Sequence, residues 1–173
     1  IIDNSITSRA KNIWIEASTG SGNQYKSYKT DGCGMSGKEL QQNMVIGCKD
    51  PADERQPFDL GRFGSGMKTA SFSQAKKMTV ISRKKGDDLV GAIWDLDIVE
   101  KENEWLLEIL PKKEIYQLAN LKINDKQHGT QVIWENLKAY KEESHSDIEK
   151  LLAANMAQVG NHLQVHFHRF MQG

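Results

Sequence analysis

The chain has 173 residues, 38% of them apolar, which suits one α/β core. Its 23 basic residues balance 23 acidic ones, so a DNA partner stays open but unsupported by charge, and no apolar run approaches the roughly 20 residues of a membrane span. The cysteines are Cys33 and Cys48, with no C-x-x-C pair, and they read as reduced thiols of an intracellular protein, cytoplasmic or, in a eukaryote, nuclear.

Taken in chain order, residues 1–10 read as the end of a helix, with Ile1, Ile2 and Ile6 apolar and Asn4 interrupting the run. An amide that close to an apolar face either caps something or binds something. Asn12 to Ser18 alternates Ile13, Ile15 and Ala17 against Trp14, Glu16 and Ser18, as a strand does. Residues 19–23 (Thr-Gly-Ser-Gly-Asn) then form a hairpin turn into a partner strand, Gln24 to Thr30. Next comes a glycine-rich loop, Asp31-Gly32-Cys33-Gly34-Met35. Ser36 to Glu39 fits a capping box that opens a helix. Gly47 to Leu60 holds Pro51, Pro57 and six charged residues without a period, and on its own reads as a surface loop.

The most telling stretch is Gly61-Arg62-Phe63-Gly64-Ser65-Gly66-Met67-Lys68-Thr69, followed by a helix over Met67 to Ala75. Glycines at this spacing let backbone N–H groups approach an oxyanion, and the helix dipole points the same way. Alone, a G-x-x-G-x-G is not specific, because most glycine turns bind nothing. It matches neither the P-loop spacing nor the dinucleotide-binding G-x-G-x-x-G.

Strand patterns follow at Lys77 to Arg83, Leu89 to Ile98, Trp105 to Leu110 and Gly129 to Leu137, with an irregular connection over Lys112 to Gln127. Antiparallel strands after a helix-bearing half predict a two-layer α/β sandwich. Trp14, Trp94, Trp105 and Trp134 all fall in these strands, as core residues would. Lys76, Lys77, Arg83, Lys84 and Lys85 read as a solvated strand edge in preference to a nucleic-acid surface. A helix capped by Ser146, with Glu149 as its capping-box partner, carries Ile148, Leu151, Leu152, Asn155, Met156, Val159, Leu163, Phe167 and Phe170 on one stripe, and Gly160 marks a break. His162 and His166 stand four apart on it without a carboxylate or cysteine, which fits a solvated or interface face better than a metal site.

Four blocks, in the order Asn4-Ser5, Asp31 to Met35, Gly61 to Thr69 and Gly129-Thr130, resemble the GHKL ATPase superfamily of gyrase B, the large heat-shock chaperone, MutL, sensor histidine kinases and MORC proteins. The nearest likeness is to the MORC-like and bacterial MORC-related branch, whose blocks run E-x-x-D-N-S-x-D-A, D-N-G-x-G-M, G-x-x-G-x-G-x-K-S/T and G-T. A sensor-kinase role fits the Lys68-Thr69 and Gly129-Thr130 blocks less well.

The resemblance implies a Bergerat-type two-layer sandwich with a mixed, mostly antiparallel sheet and helices on one face. It implies one ATP-binding domain over 1–173, cut from a longer protein that continues into a transducer domain. ATP or ADP with Mg²⁺ would be the cofactors, and Gly47 to Leu60, if not a plain surface loop, would be a lid whose nucleotide-gated closure couples to homodimerisation. The longer protein would be the ATPase, since the family's general-base glutamate falls one residue before Ile1.

By the same resemblance, Asn4 coordinates Mg²⁺, Gly32 and Gly34 shape the adenine pocket, and Met35 packs on the base. Asn43 touches ribose or phosphate. Arg62, Phe63, Gly64, Ser65, Gly66 and Met67 form the terminal-phosphate cradle, with Lys49 and Lys68 as cationic partners, and Thr130 reaches adenine. Thr30 and Thr7 stand where the family has aspartates, so either Asp31 serves the base in place of Thr30 or base recognition is weakened. Two further classes stay open: a nucleotide switch that does not hydrolyse, and a nucleotide-free interaction or DNA-binding module that keeps the fold.

Overall fold

The computed structural model describes residues 1–19, 24–45, 66–118, 120–124, 127–140 and 145–171. The alternating segments build one six-stranded sheet from β1 (Ile13–Ser18), β2 (Tyr25–Thr30), β3 (Ala75–Arg83), β4 (Val90–Asp95), β5 (Glu108–Leu110) and β6 (Gly129–Leu137). The spatial order is β1-β2-β6-β3-β4-β5, and every pairing is antiparallel. The expected α/β sandwich is the fold observed.

Side-chain period two divides the sheet into two faces. Tyr28, Met78, Val80, Ala92, Trp94 and Val132 point to one of them. This face is covered by α1 (Ile2–Thr7), α2 (Gly37–Met44) and α3 (Gly66–Gln74), with Leu40 and Met44 of α2 buried in the core and Phe72 of α3 packed on it. The long helix α6 (His145–His166) joins them by burying Ile148 and Leu152 against Ala75, Leu137 and Tyr140. Ile81, Ile93 and Ile133 point to the opposite face. There the short α5 (Lys112–Ile115) and the chain around Ile123 lie over them. Gln131, fully buried, pins that connection: its amide donates to Asn120 O and Ser27 Oγ, and its Oε1 accepts from Lys122 N–H.

Several boundaries differ from the sequence pattern. The run Leu89 to Ile98 leaves the sheet at Asp95, whose carboxylate accepts the Asp97 N–H and starts α4 (Leu96–Glu102). Trp105 lies outside β5 and is 60% exposed, its ring set edge-on to Trp94 at 5.5 Å. Trp14 is 41% exposed, with the Lys29 ammonium 4.7 Å over its ring. Neither is a core residue, because tryptophan also serves strands that end or edge a sheet. Gly160 lies within α6 with no break, and that helix begins at His145, so Ser146 is inside it. Residues 20–23 of the expected hairpin turn lie outside the described set. In the basic cluster, Lys76 pairs with Asp97, Lys77 with Glu135 and Lys84 with Glu39, so its charge is largely balanced locally.

Tyr28 joins helix to sheet. Its hydroxyl meets that of buried Ser5 on α1, and burial pushes its phenol up to about 12. The folded state therefore holds this proton at pH values where the unfolded chain, titrating near 10, has lost it. Stability contributed by Tyr28 is present below about pH 10 and is lost as pH rises toward 12, by about 3 kcal/mol in total. Urea unfolding across that range should show the decline in the wild type and a shallower one in Tyr28→Phe.

Candidate functional site

Three hydroxyl residues stand side by side at one end of the helix-covered face. Thr130 of β6 is the register partner of Thr30 on β2 and of Ser82 on β3. Each lies two residues beyond a core position of its own strand (Tyr28, Val80, Val132), so all three share that face. Ser82 is the hub of the group. Its Oγ accepts the Met35 N–H at 2.8 Å, lies 2.8 Å from Thr130 Oγ1 and reaches Gly129 O at 3.0 Å. Thr30 Oγ1 accepts the Gly32 N–H at 3.0 Å.

The loop from Asp31 to Met35 lies flush on this row. At Gly34, φ is +68°, and a Cβ would stand 1.9 Å from Arg83 O, so only glycine fits. A Cβ at Gly32 would meet Ser8 Oγ at 2.1 Å. Cys33 N–H donates to Ser8 O at 3.0 Å, and its thiol is exposed and free. His128 Nδ1 lies 2.8 Å from Gly32 O and must carry the ring proton to bond it. The glycines thus let the loop approach α1's end and β3.

Asp31 faces away from the row. Its carboxylate accepts Lys11 N–H, Asn12 N–H and the Asn12 side-chain amide, each at 2.8 Å. Partial desolvation acts to raise its pKa, but the N–H donors of Asn12 and Lys11 outweigh it and leave the carboxyl below its ordinary value. The carboxylate therefore ties down the turn between α1 and β1.

Met35 and Asn43 come together. The Asn43 amide lies 3.7 Å from Met35 Sδ and also donates to Glu39 O. Ser36 and Glu39 form the expected capping box, which sets α2 on the loop. The other end of α2 is closed by two side chains. Trp94 Nε1 donates to Met44 O at 3.0 Å, and Lys68 Nζ donates to Asn43 O at 2.7 Å and Val45 O at 2.5 Å. Lys68 is only 2% exposed and sits at the negative end of the helix dipole.

Asn4 is exposed on α1, and its side-chain amide bonds no described residue. Gly66 and Met67 open α3. Lys49, Arg62, Phe63, Gly64 and Ser65, with the stretch Gly47 to Leu60 and Cys48, lie outside the described residues. Among the described residues no group of three His, Cys, Asp or Glu could hold a metal, and no helix is long and apolar enough to cross a membrane. Ser82 escaped sequence reasoning. Its one signal is a hydroxyl following Met78 and Val80 on the core face of β3.

The family model for histidine kinase-, DNA gyrase B-, and HSP90-like ATPases matches residues 1–130. The chain belongs to that family. This GHKL-type match runs from the Asn4 block through Thr130 and makes the chain an ATP-binding domain of that ATPase class. No curated protein matches the chain.

Lys68→Met keeps the aliphatic stem but strips α2 of the donors to Asn43 O and Val45 O. It should lower the stability of the nucleotide-free protein by about 2–4 kcal/mol in urea unfolding. A lysine serving a phosphate alone would leave that stability unchanged.

Proposed function

We propose that this domain binds Mg²⁺-ATP on the helix-covered face, between α1, the Asp31–Met35 loop and α2, as a MORC-like member of its family. The observation that carries the reading is the meeting of Met35 and Asn43 beside the hydroxyl row that contains Thr130. Met35 and Thr130 come from two separate motif blocks, and Asn43 from the helix that follows the first of them.

The residues present fit the absent groups. Mg²⁺ keeps several waters and takes ligands from substrate phosphates, so it needs few protein oxygens; the exposed Asn4 side-chain amide, which bonds no other described residue, would supply one. When bound, the ion neutralises phosphate charge. Met35 offers an apolar, polarisable surface for a base, and Thr130 a hydroxyl for its edge. Asn43 offers an amide toward ribose or phosphate. Arg62, Phe63, Gly64, Ser65, Gly66 and Met67 form the cradle for the terminal phosphate, with Gly32 and Gly34 shaping the loop above the base. Lys49 and Lys68 are the cationic partners of the phosphates, and Lys68 also holds α2 and the start of α3 together.

Nucleotide-gated closure of the Gly47–Leu60 stretch and homodimerisation complete the proposal. Support for a hinge comes from Lys68, which fastens Val45 to α3 and so fixes the two flanks of that stretch at one point.

Calorimetric titration of ATP with and without Mg²⁺ tests this. Wild-type protein should bind with Mg²⁺, and Asn4→Ala should lose at least about tenfold in affinity, the scale of one lost charge-assisted contact. No heat with wild-type protein at any Mg²⁺ concentration would sink the reading.

A further inference from the structure

We infer that the Thr30–Thr130–Ser82 row makes this a site for purine nucleotides in general, accepting amino- and oxo-purines alike. The inference rests on the nucleotide-binding reading above and names its base specificity.

The argument begins with the proton of Ser82. Its Oγ already accepts from Met35 N–H, so its single hydrogen goes either to Gly129 O at 3.0 Å or to Thr130 Oγ1 at 2.8 Å. Both acceptors are in range, so the choice is nearly balanced. If Ser82 donates to Gly129 O, Thr130 donates to Ser82 and turns its remaining lone pair outward as an acceptor. If Ser82 donates to Thr130, the Thr130 hydrogen is freed and points outward as a donor. Thr130 is half-buried, so it can meet a ligand. One rotation of a hydroxyl hydrogen therefore converts the same atom from a partner for an exocyclic amine into a partner for a ring carbonyl.

Thr30 adds to this tolerance. Its Oγ1 accepts from Gly32 N–H, and its own hydrogen has no acceptor among the described residues. A fixed carboxylate at the row would only accept, and so would favour an amine and repel a carbonyl. The Asp31 carboxylate, one residue beyond Thr30, is held by three N–H donors of Lys11 and Asn12 on the far side of the strand end. The row thus contains hydroxyls and no fixed-sign group. Sites of fixed sign reject the wrong partner strongly, because a buried polar group is left unpaired. Rotatable hydroxyls re-pair and reject little.

The test is competitive titration of Mg²⁺-ATP and Mg²⁺-GTP into the wild-type protein and into Thr30→Asp. An aspartate at 30 can still accept the Gly32 N–H, so the loop keeps its bond. Wild-type dissociation constants for ATP and GTP within tenfold of each other are expected, with Thr30→Asp shifting the ratio toward ATP by tenfold or more. A wild-type preference for ATP above tenfold would overturn this inference while leaving the site standing, and an unshifted ratio in a folded Thr30→Asp would overturn the part assigned to Thr30. Failure of both nucleotides to bind the wild type would remove the site itself and the inference with it.

Discussion

The contact between Gly34 and the Arg83 carbonyl sets the geometry of everything above it. With no Cβ at Gly34 and φ at +68°, the loop can lie directly on the end of β3. That approach brings Met35 N–H within 2.8 Å of Ser82 Oγ. From there the chain enters the Ser36–Glu39 capping box, which aims α2 across the sheet and delivers Leu40 and Met44 to the core. A side chain at position 34 would lift the loop, and α2 would lose its starting point. Packing and site geometry thus share one backbone contact.

The far end of α2 shows how a short helix is held without help from its own sequence. Eight residues are too few for independent stability. Trp94 from the sheet and Lys68 from α3 satisfy three carbonyls that would otherwise be orphaned. The ammonium of Lys68 is nearly dry, but it meets oxygen dipoles and the negative end of the helix, which offset the cost of burying it. Lys26 is the contrasting case. It is also buried, it has one amide oxygen of Asn155 as its hydrogen-bond acceptor, and desolvation lowers its pKa. Its ammonium, also 5.7 Å from the centre of the Tyr140 ring, ties β2 to α6 at the cost of that desolvation.

Much of this was legible in the residues. The alternation of Ile13, Ile15 and Ala17 marks β1, short apolar runs mark β3 and β6, and the Ser36–Glu39 box marks the start of α2. What failed did so for physical reasons. Leu96 and Ile98 continue the alternation of β4, yet the carboxylate of Asp95 captures an N–H two residues on and bends the chain into a helix. Local capping there outweighs a pattern that a strand and a helix share over three residues. Lys68 carries the charge of a phosphate partner, and its hold on Asn43 O and Val45 O is a further role that no sequence rule reveals. Ser82 escaped because a serine continuing Met78 and Val80 along a strand face is too common to single out; its part depends on Thr130 and Met35, which come from distant points of the chain.

The displaced carboxylate is the most consequential feature of the loop. Shifting an acidic side chain by one position at a strand end turns it to the other side, because successive residues alternate. Asp31 then finds the N–H groups of Lys11 and Asn12, and these hold it ionised and fixed. What the loop gains is a firm turn between α1 and β1, and with it a fixed path for the helix that carries Asn4. On the other side of the strand end, Thr30 presents a hydroxyl that accepts the Gly32 N–H. Asp31 thus serves the anchoring of the helix that carries Asn4, while Thr30, one residue before it, turns its hydroxyl into the row.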